Sequence, residues 1–399
     1  MREQQGGNRV IYDFDAGPDR RATESEKWRA YPPDVLPLWV ADMDFVSPEP
    51  VIRALRERVE HGVFGYPHEP PELREIIVAR LADRYGWQIR LEDLVYIPGV
   101  IRGFNLACHT VAEPGGSVLV QTPVYPPMLS AAGTAGMTRQ DAPLARDANG
   151  SYRIDWEVFD SAITDQTRLF ILCNPHNPVG RVFRRDELTR MAETCLRRGV
   201  FICSDEIHCD LVYPGQRHIP IASLDPAIAQ NTITLMAPSK TFNIAGLDCS
   251  FAIIQNAELR QRYQDAQRGL VGGIDVMGWT AALAAYRDGD EWLTQVLAYL
   301  EANRDYVYEF VEKELAGVVV TKLEATYLAW LDCRNAGVDE PYKFFLNNAR
   351  VALNDGTAFG PGGEGFVRLN FACSRSLLRE ALERMKTALD ARDGARASS

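Results

Sequence analysis

The sequence predicts an α/β chain: a large domain on a mostly parallel sheet, followed by a smaller α+β domain. Three observations carry this expectation. From about residue 90 onward, short and fully apolar segments recur, with helical stretches between several of them. Most of these segments end in polar or turn-forming residues, where a parallel sheet opens to a ligand. A second set of short strands follows a long helical pattern towards the C-terminus. The 399 residues suffice for two such domains with ample core.

In chain order, Met1 to about Tyr31 is polar, rich in Arg and Glu, and reads as an arm. Leu36 to Asp44 is apolar and then acidic. Ser47 and Pro48 predict a helix start, with Ser47 as N-cap and proline at the first position. Leu94 to Ile97 is an apolar run closed by Pro98-Gly99, and Ser117 to Gln121 follows the turn Pro114-Gly115-Gly116. Leu169 to Cys173 ends in Asn-Pro, a helix covers Arg185 to Arg198, and Val200 to Cys203 ends in Ser204-Asp205. Thr232 to Met236 leads into Ala237 to Leu247, and Phe251 to Ile254 follows. A long helical pattern from about Asp288 through Glu314 opens the second unit. Its strands are Val318 to Thr321, Tyr327 to Asp332, Val351 to Asn354 and Phe366 to Asn370. An amphipathic helix covers about Ser376 to Asp390, and Gly394 to Ser399 reads as frayed. The expected division is 1–47 for the arm and part of the small domain, 48–287 for the large domain, and 288–399 for the C-terminal small domain.

Composition excludes several classes. A formal net charge of −11 disfavours nonspecific binding to nucleic acid or anionic membranes. The 8 cysteines are scattered without a CxxC pair, as reduced core residues of a cytosolic protein would be. The 6 histidines show no metal-ligand spacing, so no metal is expected. Met1 to Gly7 lacks an apolar signal core, and no apolar run is long enough to cross a bilayer. The expectation is a soluble cytoplasmic protein.

The chemistry concentrates behind three strands. Ser239-Lys240 follows Thr232 to Met236 amid small and turn-forming residues. That setting suits a lysine whose amine holds an aldehyde cofactor such as pyridoxal phosphate as a Schiff base, with the serine bonding a phosphate. Alone, it also fits a surface lysine in a loop. Asp205, just past a buried strand, could keep a pyridine nitrogen protonated, or could cap a helix. Asn177, in Asn174-Pro175-His176-Asn177-Pro178-Val179-Gly180, could donate to a phenolate oxygen, or could serve turn geometry alone.

The motif order NPxNPxG, SDE, SK resembles the fold-type I family of pyridoxal-phosphate enzymes, which have the aspartate aminotransferase fold. CNPHNPVGRVF, SDEIH, APSKTFNIAGL, ATYLAWLD and GFVRLNFA look like its cystathionine β-lyase branch, the MalY/PatB-like C–S lyases. The resemblance covers about Leu36 to Leu389. It implies pyridoxal 5'-phosphate (PLP) held on Lys240, which also moves the substrate Cα proton. Asp205 would bond the pyridine nitrogen, and Asn177 the phenolic oxygen. His208 stands where aminotransferases carry a tyrosine near that oxygen. Tyr125 would stack on the ring, unless it is simply a core tyrosine. Gly99, Val100 and Ile101 would offer backbone N–H groups to the phosphate, unless they form a ligand-free turn, and Ser239 would add a hydroxyl. Tyr66 would reach the phosphate from the neighbouring subunit of a homodimer with a shared active site, unless it is simply a core or surface tyrosine. Arg368 would clamp the substrate carboxylate, unless its strand turns it to solvent, and Val40-Ala41-Asp42 would line the substrate pocket.

Two departures accompany the resemblance. Asp248 stands eight residues after Lys240, where aminotransferases carry a phosphate-binding arginine. An aspartate facing a phosphate would repel it, so Asp248 is expected to turn away, pair with a cation or bind something else. Ala237 also lacks a hydroxyl often found three residues before the lysine. In addition, Gly269 to Met277, expected near a partner's active site, is atypical of the branch. The implied reaction is cleavage of an S-substituted L-cysteine to thiol, pyruvate and ammonia. An aminotransferase, a PLP-dependent decarboxylation or oxidative deamination of an S-conjugated cysteine, and a regulatory protein built on the fold remain as alternatives. The missing phosphate arginine and His208 weigh against the aminotransferase.

Overall fold

A computed structural model describes residues 10–147 and 150–397, with side chains described through Arg392. Seven strands form its large sheet: β1 (Leu94–Ile97), β2 (Ser117–Val120), β3 (Thr138–Asp141), β4 (Thr167–Cys173), β5 (Phe201–Asp205), β6 (Thr232–Met236) and β7 (Ser250–Ile253). Their order is β1-β7-β6-β5-β4-β2-β3. All pairs are parallel except the two made by β7, which runs against both β1 and β6. The chain between β6 and β7 contains only short helical turns, and an antiparallel return needs no long crossover.

The apolar runs recognised in the sequence are buried on both faces, as a sheet covered by helices requires. Side chains alternate across it. Val118, Val120, Leu169, Ile171, Cys203 and Leu235 pack with the helix Val100–Val111, whereas Leu119, Phe170, Leu172 and Ile202 pack with the helix Arg185–Arg197. Gly103 lets the first of these helices approach closely: a Cβ there would stand 2.5 Å from Ile97 Cδ1 and 3.0 Å from Leu235 Cδ2.

Register positions the site. Cys173 pairs with Asp205, and Asp205 with Leu235, so β4, β5 and β6 end at one level. The Asn174 N–H donates to the Asp205 carbonyl and the Glu206 N–H to the Leu235 carbonyl, both at 2.9 Å. Because β7 is antiparallel, its first residue, Ser250, pairs with Ile97 at the same edge. Residues 98–102, 174–177, 205–208, 237–241 and 248–250 therefore share that edge.

The second sheet is antiparallel, in the order β8 (Val319–Val320), β9 (Leu328–Asp332), β11 (Phe366–Asn370), β10 (Asn354–Asp355). The helix Asp290–Glu314 precedes it and the helix Arg375–Ala397 follows. Leu36–Pro37 pairs in parallel with Val351–Ala352 as a separate two-stranded sheet, and the Asn370 N–H at the end of β11 donates to the Leu38 carbonyl at 2.8 Å, which ties the N-terminal segment to the second sheet.

Three expectations change. Val351 to Asn354 is two short strands, because Val351–Ala352 pairs with Leu36–Pro37 while Asn354–Asp355 pairs with β11. Ser47 does not cap the helix Glu49–His61: the N-cap is Pro48, and the Ser47 hydroxyl donates to the Asn243 carbonyl at 2.8 Å. The last helix continues through Gly394 to Ala397, where the sequence reads as frayed. Ser398 and Ser399, like Met1 to Gly7, lie outside the described residues.

Gly103→Val should destabilise the protein by about 1–3 kcal/mol, because it overpacks the contact with Ile97 and Leu235. Urea unfolding checks this; an unchanged midpoint and slope would contradict the packing described.

Candidate active site

A cavity of about 380 Å³ opens at the strand ends and is lined from both sheets. Gly99, Val100, Ile101, Tyr125, Asn177, Asp205, His208, Ser239 and Lys240 come from the large-sheet side, Arg368 from β11, and Ala41 from the N-terminal segment. Tyr66 is the exception. It is fully exposed and lies outside the cavity.

Lys240 sits in the helical turn Pro238–Thr241 directly after β6. Its Nζ donates to the Ala41 carbonyl at 2.7 Å. Burial lowers the ammonium to about 8, against the opposing pull of Asp42. The Ala41 carbonyl is held firmly. The Asn370 amide donates to the carbonyls of Val40 (2.5 Å) and Asp42 (2.7 Å), and the Asn243 amide to those of Met43 (3.0 Å) and Phe45 (2.8 Å). Arg20 binds Asp42 and Asp44 at 2.6 Å each, and buried Lys27 binds Asp44 at 2.7 Å.

Asp205 closes β5 and is buried. Its Oδ1 accepts the Ile207 N–H at 3.1 Å, a turn contact rather than a helix cap. Among the described residues, no cation lies within ion-pair distance of it. Burial pushes its carboxyl up to about 7. The neighbouring Glu206 differs: it binds His218 at 2.7 Å and accepts from Ser204 at 2.8 Å and the Ile221 N–H at 3.1 Å. Of the two carboxylates, only Asp205 serves the cavity.

Arg368 is buried, so the solvent-facing alternative fails. Nη1 donates to Asn177 Oδ1 at 2.9 Å; Nη2 donates to the Trp39 carbonyl at 3.1 Å and to Asn354 Oδ1 at 2.5 Å. Its guanidinium lies 4.9 Å from the Phe359 ring centroid, and its Nε has no partner. Burial lowers the group to about 10, so it remains a cation at neutral pH. His208 is buried with Nδ1 unpartnered. Burial, reinforced by Lys240 and Arg368, lowers it to about 3 and keeps the ring neutral. Tyr125 precedes the helix Pro126–Thr134, and burial raises its phenol.

At the other end, Gly99 turns the chain with φ +105°, a conformation that favours glycine. Its N–H already donates to Ser250 Oγ at 2.9 Å. Val100 and Ile101 begin the helix, and first-turn N–H groups have no acceptor within a helix. Asp248 pairs with a cation, one of the outcomes expected for it: Arg102 Nη1 lies 3.2 Å from its Oδ2.

Sequence reasoning assigned no role to Asn354 or Tyr327. Asn354 meets Arg368 through strand register. Buried Tyr327 donates to the same Ala41 carbonyl as Lys240, at 2.9 Å. The motif ATYLAWLD signalled Tyr327 without indicating that contact. Thr326 before it adopts φ +69°, an outlier for a β-branched residue, held by bonds to Leu211 and Tyr213. Gly269 to Met277 leads into the helix Val276–Asp288, capped by Asp275, and does not line the cavity.

The Asp205 shift predicts how the ligand-free protein responds to pH. The unfolded carboxyl ionises near its ordinary 3.8 and the folded one near 7, so the folded chain holds the proton more tightly. The stability from this group is present at low pH and declines as pH rises from about 4 to about 7. Asp205→Asn should remove that decline, measured as urea-unfolding free energy against pH. Parallel curves for the two proteins would contradict the assignment.

Comparison with known proteins places these features in a family. Residues 33–385 match the model for aminotransferase class I and II. The chain is 40% identical over 386 residues to cystathionine beta-lyase PatB of Bacillus subtilis (strain 168), covering 94% of this chain and 100% of that protein. It resembles the crystal structure of OvoB with 43% identity and a TM-score of 0.91, over 95% of this chain and 99% of that one. The PLP-bound C-S lyase from Staphylococcus hominis matches at 34% identity and a TM-score of 0.89, over 95% and 99%. The chain belongs to the aminotransferase class I and II family, among relatives named cystathionine β-lyase.

Proposed function

We propose that this chain is a PLP-dependent carbon–sulfur lyase that cleaves an S-substituted L-cysteine, with one water consumed, to a thiol, pyruvate and ammonia. One observation carries the reading. A lysine amine, a buried carboxylate that ion-pairs with no described residue and a buried arginine share one cavity at the strand ends. The names of the relatives, cystathionine β-lyase and C-S lyase, support the reaction type.

The residues fit PLP. Among the described residues no cation lies within ion-pair distance of Asp205, and a protonated ring nitrogen would supply one. The unpartnered His208 Nδ1 and Arg368 Nε await polar atoms. Lys240 would carry the aldehyde carbon, with Asn177 and His208 near the phenolic oxygen and Tyr125 against the ring. Val100, Ile101 and Ser239 would meet the phosphate. When bound, PLP supplies a ring that accepts the electron pair left at the substrate Cα.

The rest falls to the chain. The Arg368 guanidinium, fixed by Asn354 and Trp39, binds the substrate α-carboxylate. Lys240 Nζ, with its ammonium near 8, is partly neutral at physiological pH and takes the Cα proton. Ala41 and Tyr327 fix where that amine rests in the free protein. The negative charge of Asp205 keeps the ring nitrogen protonated.

A homodimer with a shared active site is part of this reading. Val63, Phe64 and Tyr66 are exposed together on the segment before the helix Pro71–Tyr85, and a second copy would cover them. Tyr66 would then reach the partner's phosphate site. A cytoplasmic location is likewise proposed. All eight cysteines are buried and unpaired, and no described helix is long and apolar enough to cross a membrane.

L-Cystathionine or a bulky S-alkyl cysteine, incubated with the loaded protein without a 2-oxo acid, should yield pyruvate, ammonia and a thiol. A product that keeps the C–S bond but loses its amine or CO₂ would overturn the proposal. Lys240→Ala should lower turnover at least about 100-fold, consistent with loss of a general base. Arg368→Ala should raise KM roughly 10- to 100-fold with a smaller change in kcat, and an unchanged KM would remove Arg368 from carboxylate binding.

A further inference from the structure

Arg102 and Asp248 form an ion pair at the phosphate end of the cavity, from positions 146 residues apart in sequence. Arg102 is the third residue of the helix Val100–Val111. Asp248 ends the turn Ala245–Leu247 in the left-handed conformation, φ +43°. Arg102 Nη1 lies 3.2 Å from Asp248 Oδ2 and also donates to the Pro98 carbonyl. Both side chains are half exposed, and both line the cavity. Both also crowd Gly99: a Cβ there would stand 3.1 Å from Arg102 Nη1 and 3.5 Å from Asp248 Oδ1. The pair thus flanks the turn whose N–H groups face the phosphate in the reading above.

The charges of the site give the pair its meaning. The described lining has three cations, Arg102, Lys240 and Arg368. Lys240 bonds Ala41, and Arg368 bonds Asn177, Trp39 and Asn354. Arg102 is the cation that remains at the phosphate end. A phosphate dianion approaching Asp248 is repelled and one approaching Arg102 is attracted, so the two compete for the same guanidinium.

We propose that Arg102 is the cation of the cofactor phosphate, that Asp248 competes with the phosphate for it, and that this pair sets how tightly the chain retains PLP. The proposal rests on the PLP reading, and its test separates the two. Apoprotein is titrated with PLP and with pyridoxal, which lacks the phosphate, and the absorbance of the bound aldehyde gives each Kd. Arg102→Gln should raise the PLP Kd roughly five- to tenfold and leave that of pyridoxal within about twofold. Asp248→Asn should lower the PLP Kd roughly three- to fivefold without changing that of pyridoxal. Asparagine tolerates the left-handed conformation, so this substitution removes the charge and spares the backbone. In the double variant most of the gain from Asp248→Asn should be lost, because only direct repulsion between Asp248 and the phosphate remains to be relieved. If either single substitution leaves the ratio of the two Kd values unchanged, or moves both aldehydes equally, the proposal is overturned. If the unaltered protein binds neither aldehyde, the PLP reading itself fails.

Discussion

The site depends on the register of three parallel strands. Because β4, β5 and β6 end level with one another, Asn177, Asp205 and Lys240 reach one cavity from turns far apart in sequence. Shifting one strand by one residue would send its side chains to the opposite faces and withdraw its turn from the edge. The antiparallel β7 adds Asp248 and Ser250 at that edge because its chain begins where its neighbours' ends lie. The scaffold can hold this register because the strands are buried on both faces, which penalises slippage throughout their length.

Burial then tunes the chemistry. The same desolvation pushes Asp205 up, Lys240 down and His208 further down, because each charged form loses its water. The cavity therefore contains an amine that can be neutral near physiological pH, a neutral imidazole and a carboxylate that gains from a nearby cation. Arg368 keeps its charge because the guanidinium is so strongly basic, and its neighbours aim it. These properties belong to the whole surroundings and not to single contacts. The clamp from Arg20, Lys27, Asn243 and Asn370 onto residues 40–45 matters for the same reason, since it closes the cavity over Lys240.

What could be read from the sequence followed from physical locality. Fully apolar runs such as Thr232–Met236 announce buried strands, and the residues just beyond them announce the ligand edge. Lys240, Asp205 and Asn177 were therefore legible, and the short motifs around them carried the family resemblance. Contacts made by distant residues were not legible. Ser47 looked like a helix cap, but its hydroxyl serves the Asn243 loop 196 residues away. Asn354 and Tyr327 take part through strand register and backbone turns that no local pattern encodes. The charge at Asp248 raised the right question, and the answer, Arg102, lay on another element. Tyr66 lies outside the cavity of a single chain and is exposed, so the packing of one chain assigns it no role.

Every role proposed for this site requires Lys240 to be the amine that holds the cofactor. The most direct measurement is borohydride reduction of the PLP-loaded protein, followed by proteolysis and mass spectrometry. A phosphopyridoxyl group is expected on the peptide carrying Lys240, at about one per chain. A label absent from Lys240, or spread over surface lysines, would contradict that assignment.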